Sequence, residues 1–433
     1  MQKNHVQYSL AIPAGLFLAS LVTQPLLAAT RVVGGCISGK QYASIQAAVT
    51  ASAAGDTIKV CPGNYPEQVV ISKSLTLTGV SSGAGADNPV ITAPASGVLP
   101  NATSLADGSQ IAAQILVQGT TGVSIKQIAV DGSNNGISSC TDLAGILFQN
   151  ASGSVSYTAT RNQTLGGALG GCPSGQGIFI QSFSQSAYAS TGGTATVSVT
   201  NNSVHDYQKT GIIADGDGTN ATIQHNHVVG LGPISYNVQN GIQFSRGATG
   251  TASGNTIAND VYTGSNPYGA SGILVYASEN VSVLSNDVGS TQLGVATVTD
   301  PSSATAGNPG GLGDNTLIQS NRVTDTQTFD AVYVCSNSNT IQSNTLTHSS
   351  NSAVHLAMEC SSTVSGNTVA QNDINEACAA VLESGAGNTI TGNNDDNVAF
   401  IYQAGDTCSL ATPAVQGRVA SQAPRLQQLR VVP

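Results

Sequence analysis

Ionisable side chains are scarce in this chain, with Asp, Glu, Lys and Arg making up 8% of 433 residues, so the places where they gather stand out. The densest group in the middle of the sequence is His205, Asp206, Lys209, Asp215, Asp217, His225, His227 and Arg246. Two chemistries suit it. A β-elimination needs a cation to quiet a substrate carboxylate and a base to take the neighbouring proton. Lys209 or Arg246 fills the basic role, and calcium held by Asp215 and Asp217 fills the cationic one. Hydrolysis of a glycosidic bond instead needs two flanking carboxylates, and Asp206 with Asp215 is the pair of choice. The catalytic candidates are therefore Asp206, Lys209, Asp215 and Arg246, and the metal candidates Asp215 and Asp217. Each has a plainer use too. Asp215-Gly-Asp217-Gly-Thr-Asn220 is a good polar turn with or without calcium and lacks the full calcium-loop pattern, while His205 and Lys209 suit solvated turns. Sugar-ring stacking calls for exposed aromatics, and Tyr207, Tyr236, Tyr262 and Tyr276, with Tyr268, lie in the same stretch. Local packing is their competing use. Strand alternation points Tyr333 and His355 outward further on.

The elements that must carry these groups are short strands. Val, Ile and Leu alternate with polar residues throughout, and a pattern of β-branched strand, small residue, Asn, any residue and aliphatic residue recurs. It is seen in TVSVTNNSV, TIQHNHV, TASGNTI, VSVLSNDV, LIQSNRV, TIQSNTL, TVSGNTV and TITGNN, which aligns Asn202, Asn226, Asn255, Asn286, Asn321, Asn344, Asn367 and Asn393. The basic period is about 23 residues, with insertions in the central repeats, which is the signature of a β-solenoid. A second strand recurs between these, as Gly145-Ile-Leu-Phe148, Gly177-Ile-Phe-Ile180, Gly211-Ile-Ile-Ala214, Gly241-Ile-Gln-Phe244, Gly272-Ile-Leu-Val275, Ala331-Val-Tyr-Val334 and Ala353-Val-His-Leu356. One such rung cannot bury its apolar side alone; stacked rungs at ~4.8 Å pair every strand in parallel and share one interior. Aligned asparagines can bond along such a stack and tolerate the left-handed turn conformation. Tyr42 to Val49 has helical spacing with Ser44 as a cap, suited to closing the first rung.

The two ends read differently. Residues 1–29 place Lys3 and His5 ahead of an apolar stretch from Leu10 to Leu27 and then Ala28 and Ala29, the layout of a secretory leader. Residues 30–80 form an N-terminal cap and first rung, 81–410 the solenoid, and 411–433, where the repeat is lost, a C-terminal tail. No other stretch approaches the ~20 continuous apolar residues of a membrane helix, so no span is expected in the mature chain. Eight cysteines fit an oxidising compartment, extracellular or periplasmic. Pairing neighbours in order, Cys36 with Cys61, Cys140 with Cys172, Cys335 with Cys360 and Cys378 with Cys408, links nearby turns. A formal charge of −10 with few basic residues excludes nucleic acid as a partner.

Ser44-Ile-Gln-Ala-Ala-Val49, Gly55-Asp-Thr-Ile-Lys-Val60, Pro62-Gly-Asn-Tyr-Pro-Glu67 and Ile71-Ser-Lys-Ser-Leu-Thr-Leu-Thr-Gly79 together resemble the opening of pectin-lyase-like proteins, and the Asn rungs look like the repeat of NosD-like periplasmic proteins. The resemblance covers roughly residues 36 to 400 and implies an all-β, right-handed parallel β-helix. It speaks poorly for chemistry, because the superfamily holds pectate lyases, polygalacturonases, pectin methylesterases, alginate epimerases and binding proteins. The chain has no Trp and only one Asp-Asp, Asp395-Asp396, and it lacks Asp-Pro-His-Asp, which disfavours the named pectinases and the epimerase. What the resemblance implies is a secreted protein that binds, and as an enzyme cleaves, an extended polysaccharide as lyase or hydrolase. The alternatives are a non-catalytic surface or adhesion protein and a NosD-like accessory protein, for which His225 and His227, on one side of a strand, would be a thin copper site.

Overall fold

The computed structural model describes residues 1–2, 28–81, 89–189, 192–265, 269–326 and 328–408. The leader expected over 1–29 lies mostly outside them, as do the tail at 411–433 and Tyr268. No helix among the described residues is long and apolar enough to cross a membrane.

Short strands wind as a parallel β-helix whose rungs each contribute to three strand columns. The first column forms one 14-stranded sheet, and the second and third join in a sheet of 23 strands. Among the described residues every pairing is parallel except that of Ala102–Thr103 with the start of Gln110–Gln118. Alternation explains the interior. In the first column Ile125, Val155, Val199, Ile223, Ala252, Val283, Ile318, Ile341 and Val369 stack in register as one inward file. All are buried in the main core. Burying one Val or Ile side chain is worth about 1.5–3 kcal/mol, and the neighbouring rungs supply the cover that a single rung lacks.

Asparagines do run along a corner of the helix. Asn226 Nδ2 donates to Asn255 Oδ1 on the next rung at 2.9 Å and to Val199 O on the previous one at 2.9 Å. The same contacts join Asn202, Asn226, Asn255, Asn286, Asn321 and Asn344. The file then continues through Asn372 to Asn393, not through Asn367. Asn367 belongs to a second file, Asn339–Asn367–Asn388, at the other end of the first-column strands. An alignment by local pattern alone merges the two because both place Asn beside a short β-branched strand. The left-handed conformation also falls elsewhere than expected. It is taken by the residue before each ladder Asn, such as His225 (φ 54°), Ser285 (φ 53°) and Ser343 (φ 55°), which turns the corner and leaves the Asn to bond along the stack.

The Gly-Ile strands form the third column, with Ile146, Ile178, Ile212, Ile242, Ile273, Val295, Val332 and Val354 in register. Gly294-Val295 supplies one more rung of this column, between Ile273 and Val332. The glycine is a matter of space: a Cβ on Gly211 would sit 2.6 Å from Gly241 O and 2.5 Å from Val228 Cγ1. At the N-terminal end, α1 (Ile45–Ala51) buries Ile45, Ala48 and Val49 against the first rungs. Ser44 Oγ caps it by accepting from Ala47 N, and both Glu67 oxygens accept from the N–H groups of Ile45 and Gln46. All four disulfides pair neighbouring cysteines in order, as expected.

Candidate functional site

The third column sends two files of side chains to the outside. One runs Leu116, Leu147, Phe179, Ile213, Gln243, Leu274, Ala296, Tyr333 and His355. All of them are buried although they point away from the interior. Expanded turns fold back over them, making one apolar cover around Leu116 to Ile213 and another around Leu274 to Tyr333. This is why the Tyr333 ring and His355 are enclosed despite their outward direction.

Two residues further along the same strands runs a polar seam. The second outward file is Gln118, Gln149, Gln181, Asp215, Ser245 and Tyr276. It is wired: Gln118 Nε2 donates to Gln149 Oε1 at 3.0 Å, and Gln181 Nε2 donates to Asp215 Oδ2 at 3.0 Å. Asp215 is wholly enclosed and takes a two-pronged contact from Arg246, Nε to Oδ1 at 2.8 Å and Nη2 to Oδ2 at 3.2 Å, plus the Ser245 hydroxyl at 2.9 Å. Burial works against the charge on Arg246, and Asp215, with Asp107 and Tyr276 behind it, more than offsets it. Lys209 lies buried at the start of the strand Thr210–Asp215, with Nζ donating to Val238 O at 3.1 Å. Burial and then the like charge of Arg246 bring its pKa down to about 7. Of the four expected catalytic residues, Asp215 and Arg246 are therefore brought into contact, while Lys209 feels the charge of Arg246 from the other end of the strand Thr210–Asp215.

Asp206 does not join them. It is half-buried in the second column, 2.6 Å from His205 Nδ1. The strand Thr210–Asp215 separates it from Asp215, roughly 17 Å of extended chain, too far for two carboxylates flanking one bond. The calcium pairing fails on donor chemistry. The oxygens of Asp215 are taken by Arg246, Ser245 and Gln181, and Asp217 accepts from Ser184 N and Oγ, both at 2.7 Å, and from Gly307 N. Nor do His225 and His227 share a regular strand, since His225 turns the corner. Of the expected tyrosines that lie among the described residues, only Tyr236 offers a ring to solvent. Tyr207 is in the interior with its hydroxyl donating to Asp260 Oδ1 at 2.7 Å, Tyr262 packs with Val238 and Ala270, and the Tyr276 hydroxyl is tied to Asp300 under the second cover. Burial holds the Asp260 carboxyl well above the usual carboxylate range, against the opposing effect of the Tyr207 hydroxyl.

An open pocket of about 570 Å³ adjoins the glutamine end of the seam, lined by Asn101, Thr103, Gln110, Gln118, Gln149, Asn150 and Tyr188 among others. Its walls are the hairpin at 101–110 and the segment at 183–189. Gln149 Nε2 donates to Thr103 O at 2.8 Å, Leu105 N donates to Gln181 Oε1 at 2.9 Å, and Ser186 Oγ donates to Leu105 O at 2.6 Å, so the walls are fastened to the seam and to each other. Asp142, close by, is held up at about 7 by burial, with the charge of Asp107 adding to it. The residues of this pocket were not singled out from sequence. The signal was the Gln closing three third-column strands, Ile-Leu-Val-Gln118, Leu-Phe-Gln149 and Phe-Ile-Gln181, one residue beyond the Gly-Ile pattern. Tyr188 carried no signal.

A second ionisable cluster sits at the C-terminal end. His355 Nδ1 is 3.2 Å from Asp330 Oδ2, Nε2 is 3.6 Å from Asp406 Oδ1, and the Tyr333 hydroxyl donates to Glu359 Oε2 at 2.9 Å. Against the effect of burial, Asp330, Asp406 and Glu359 raise His355 to about 9.

A family model described as "Right handed beta helix region" matches residues 187–369. No curated protein matches the sequence. Among solved structures, a GH136 lacto-N-biosidase from Eubacterium ramulus is 12% identical, with 88% of this chain and 67% of that chain covered and a TM-score of 0.53. The A-module of the mannuronan C-5 epimerase AlgE6 from Azotobacter vinelandii is 15% identical, covering 83% and 94%, with a TM-score of 0.47. The DFA-IIIase from Arthrobacter chlorophenolicus A6, without its lid, is 14% identical, covering 83% and 91%, with a TM-score of 0.49. The first of these likenesses shows a shared fold.

Proposed function

From its place among right-handed parallel β-helices of the pectin-lyase-like superfamily, we propose that this protein is a secreted glycan-binding protein that seats an extended polysaccharide on the outer face of its third strand column. One observation carries the reading. The open pocket is walled by amides, a hydroxyl and a half-exposed tyrosine ring, all fastened to a wired ladder of glutamines. Amides both donate and accept, and a tyrosine ring offers a flat apolar face, which together suit the hydroxyls and the ring face of a sugar. The carbohydrate in the name of the lacto-N-biosidase agrees with this reading without carrying it.

Elimination on a polyuronate is the second reading. It is favoured by Lys209, whose pKa, brought down to about 7 by burial and then by the charge of Arg246, leaves much of it neutral as a base. Its rate would rise with pH through about 7, as Lys209 loses its proton.

Gels cast with xylan, glucan, galactan, pectate or alginate, run beside a polymer-free gel, test binding by retardation of the intact protein. Retardation by at least one polymer is the expected result; equal mobility in all of them, with the protein folded by circular dichroism, sinks the proposal. Unsaturated products from pectate or alginate that vanish in Lys209→Ala would establish the lyase.

A further inference from the structure

We infer that the pocket between the 101–110 hairpin and the 183–189 segment takes a neutral sugar residue and not a uronate, a refinement that rests on the glycan-binding reading. The argument is one of charge. None of the residues lining the pocket is a Lys, Arg, Asp, Glu or His. The cation along the seam, Arg246, is already answered by both oxygens of Asp215 and feels Asp107 as well. Lys209 is buried at the other end of the strand that carries Asp215 and is only part-charged near neutral pH. The remaining charges nearby, Asp107 on the hairpin and Asp142 when ionised, are negative. A uronate entering this pocket would trade its water for neutral amides in a negative surrounding, whereas a hydroxyl-bearing neutral ring pays no such desolvation cost.

The stacking platform is built for a ring. Gly108 has φ 77°, and a Cβ there would lie 2.6 Å from Tyr188 Cδ1 and Cε1, so the backbone of the hairpin packs directly against the Tyr188 ring. Half of the Tyr188 surface remains open at the pocket. Because the walls are already fastened together by Ser186 and Gln149, little ordering is left for the ligand to impose. This ligand class also has a chemical consequence. A neutral sugar carries no carboxylate to acidify the adjacent C–H, so the class goes with binding or hydrolysis and excludes elimination at this pocket.

Affinity electrophoresis of the intact protein on matched neutral polymers (xylan, galactan, β-glucan) and polyuronates (pectate, alginate) at low and high salt tests this. The expected result is retardation by a neutral polymer that is insensitive to salt, weakened about tenfold by Tyr188→Ala and retained by Tyr188→Phe. Gly108→Ala, which pushes on the ring, should weaken it as well. Retardation by polyuronates alone, or neutral binding indifferent to Tyr188→Ala, overturns the inference while leaving glycan binding standing. Retardation by neither class brings down both.

Discussion

The seam at Asp215 and the cluster at His355 are built alike and finished differently. Each sets a cation against carboxylates on the outer side of the third column. At the seam the Arg246 side chain stays 27% exposed and an open pocket adjoins it; at the other end His355 is 0% exposed and lies between the Cys335–Cys360 and Cys378–Cys408 bridges. The difference teaches that charge pairing by itself does not mark a ligand site. A cover stapled by disulfides uses its charges to hold itself down, whereas the Asp215 carboxylate beside the open pocket holds the Gln181 amide of the glutamine ladder.

The largest expected effect comes from breaking the seam. Asp215→Ala leaves Arg246 and the Gln181 amide without their acceptor, and should cost about 3–5 kcal/mol in urea unfolding, as removal of one partner of a buried pair does. A cost below about 1 kcal/mol would mean the pair is solvated and the contrast with His355 is lost.

Next in size is the staple. Replacing Cys378 and Cys408 by Ser should lower stability by about 2–4 kcal/mol through the freed loop, with glycan retardation unchanged. Loss of retardation in that variant would make the C-terminal cover part of the binding site.

The His355 cluster should also show itself in pH. Its folded pKa of about 9 lies above the ordinary 6.5, so its contribution is fully present below about pH 6.5 and is lost as pH rises through about 9. At most this amounts to about 3 kcal/mol, shared among Asp330, Asp406 and Glu359, which face the ring together with Tyr333. Thermal melts of the parent and of His355→Gln between pH 6 and 10 check it, and an equal alkaline slope in both assigns the loss to other groups.

Smaller still is one ladder position. Asn255→Ala strands the amide of Asn226 and a buried carbonyl, for about 1–3 kcal/mol, well away from both charged regions. Retardation should be untouched; if it falls, the rung spacing itself tunes the pocket.

How much of this was legible beforehand depends on the range of the interaction. The solenoid, the inward file, the Ser44 cap and the disulfide order follow from residues a few positions apart or one rung away, and periodicity exposes those directly. The pair Asp215 and Arg246 was legible as well, because both sit at the ends of recognisable Gly-Ile strands on successive rungs. Asp206 and the tyrosines were not, since alternation says whether a side chain points in or out but not what lies above it.

The sequence by itself determined the rungs, the faces of their strands and the residues available to each corner, because these are set by alternation and by neighbours one period away. Tertiary structure alone decided which outward residues meet water. Leu147, Phe179, Tyr333 and His355 point out and are buried, while Tyr188, which no repeat marks, stands open beside a pocket. The physical reason is that the covering turns are the aperiodic insertions between rungs, and where an aperiodic turn settles depends on apolar area offered by distant rungs, which no local pattern encodes.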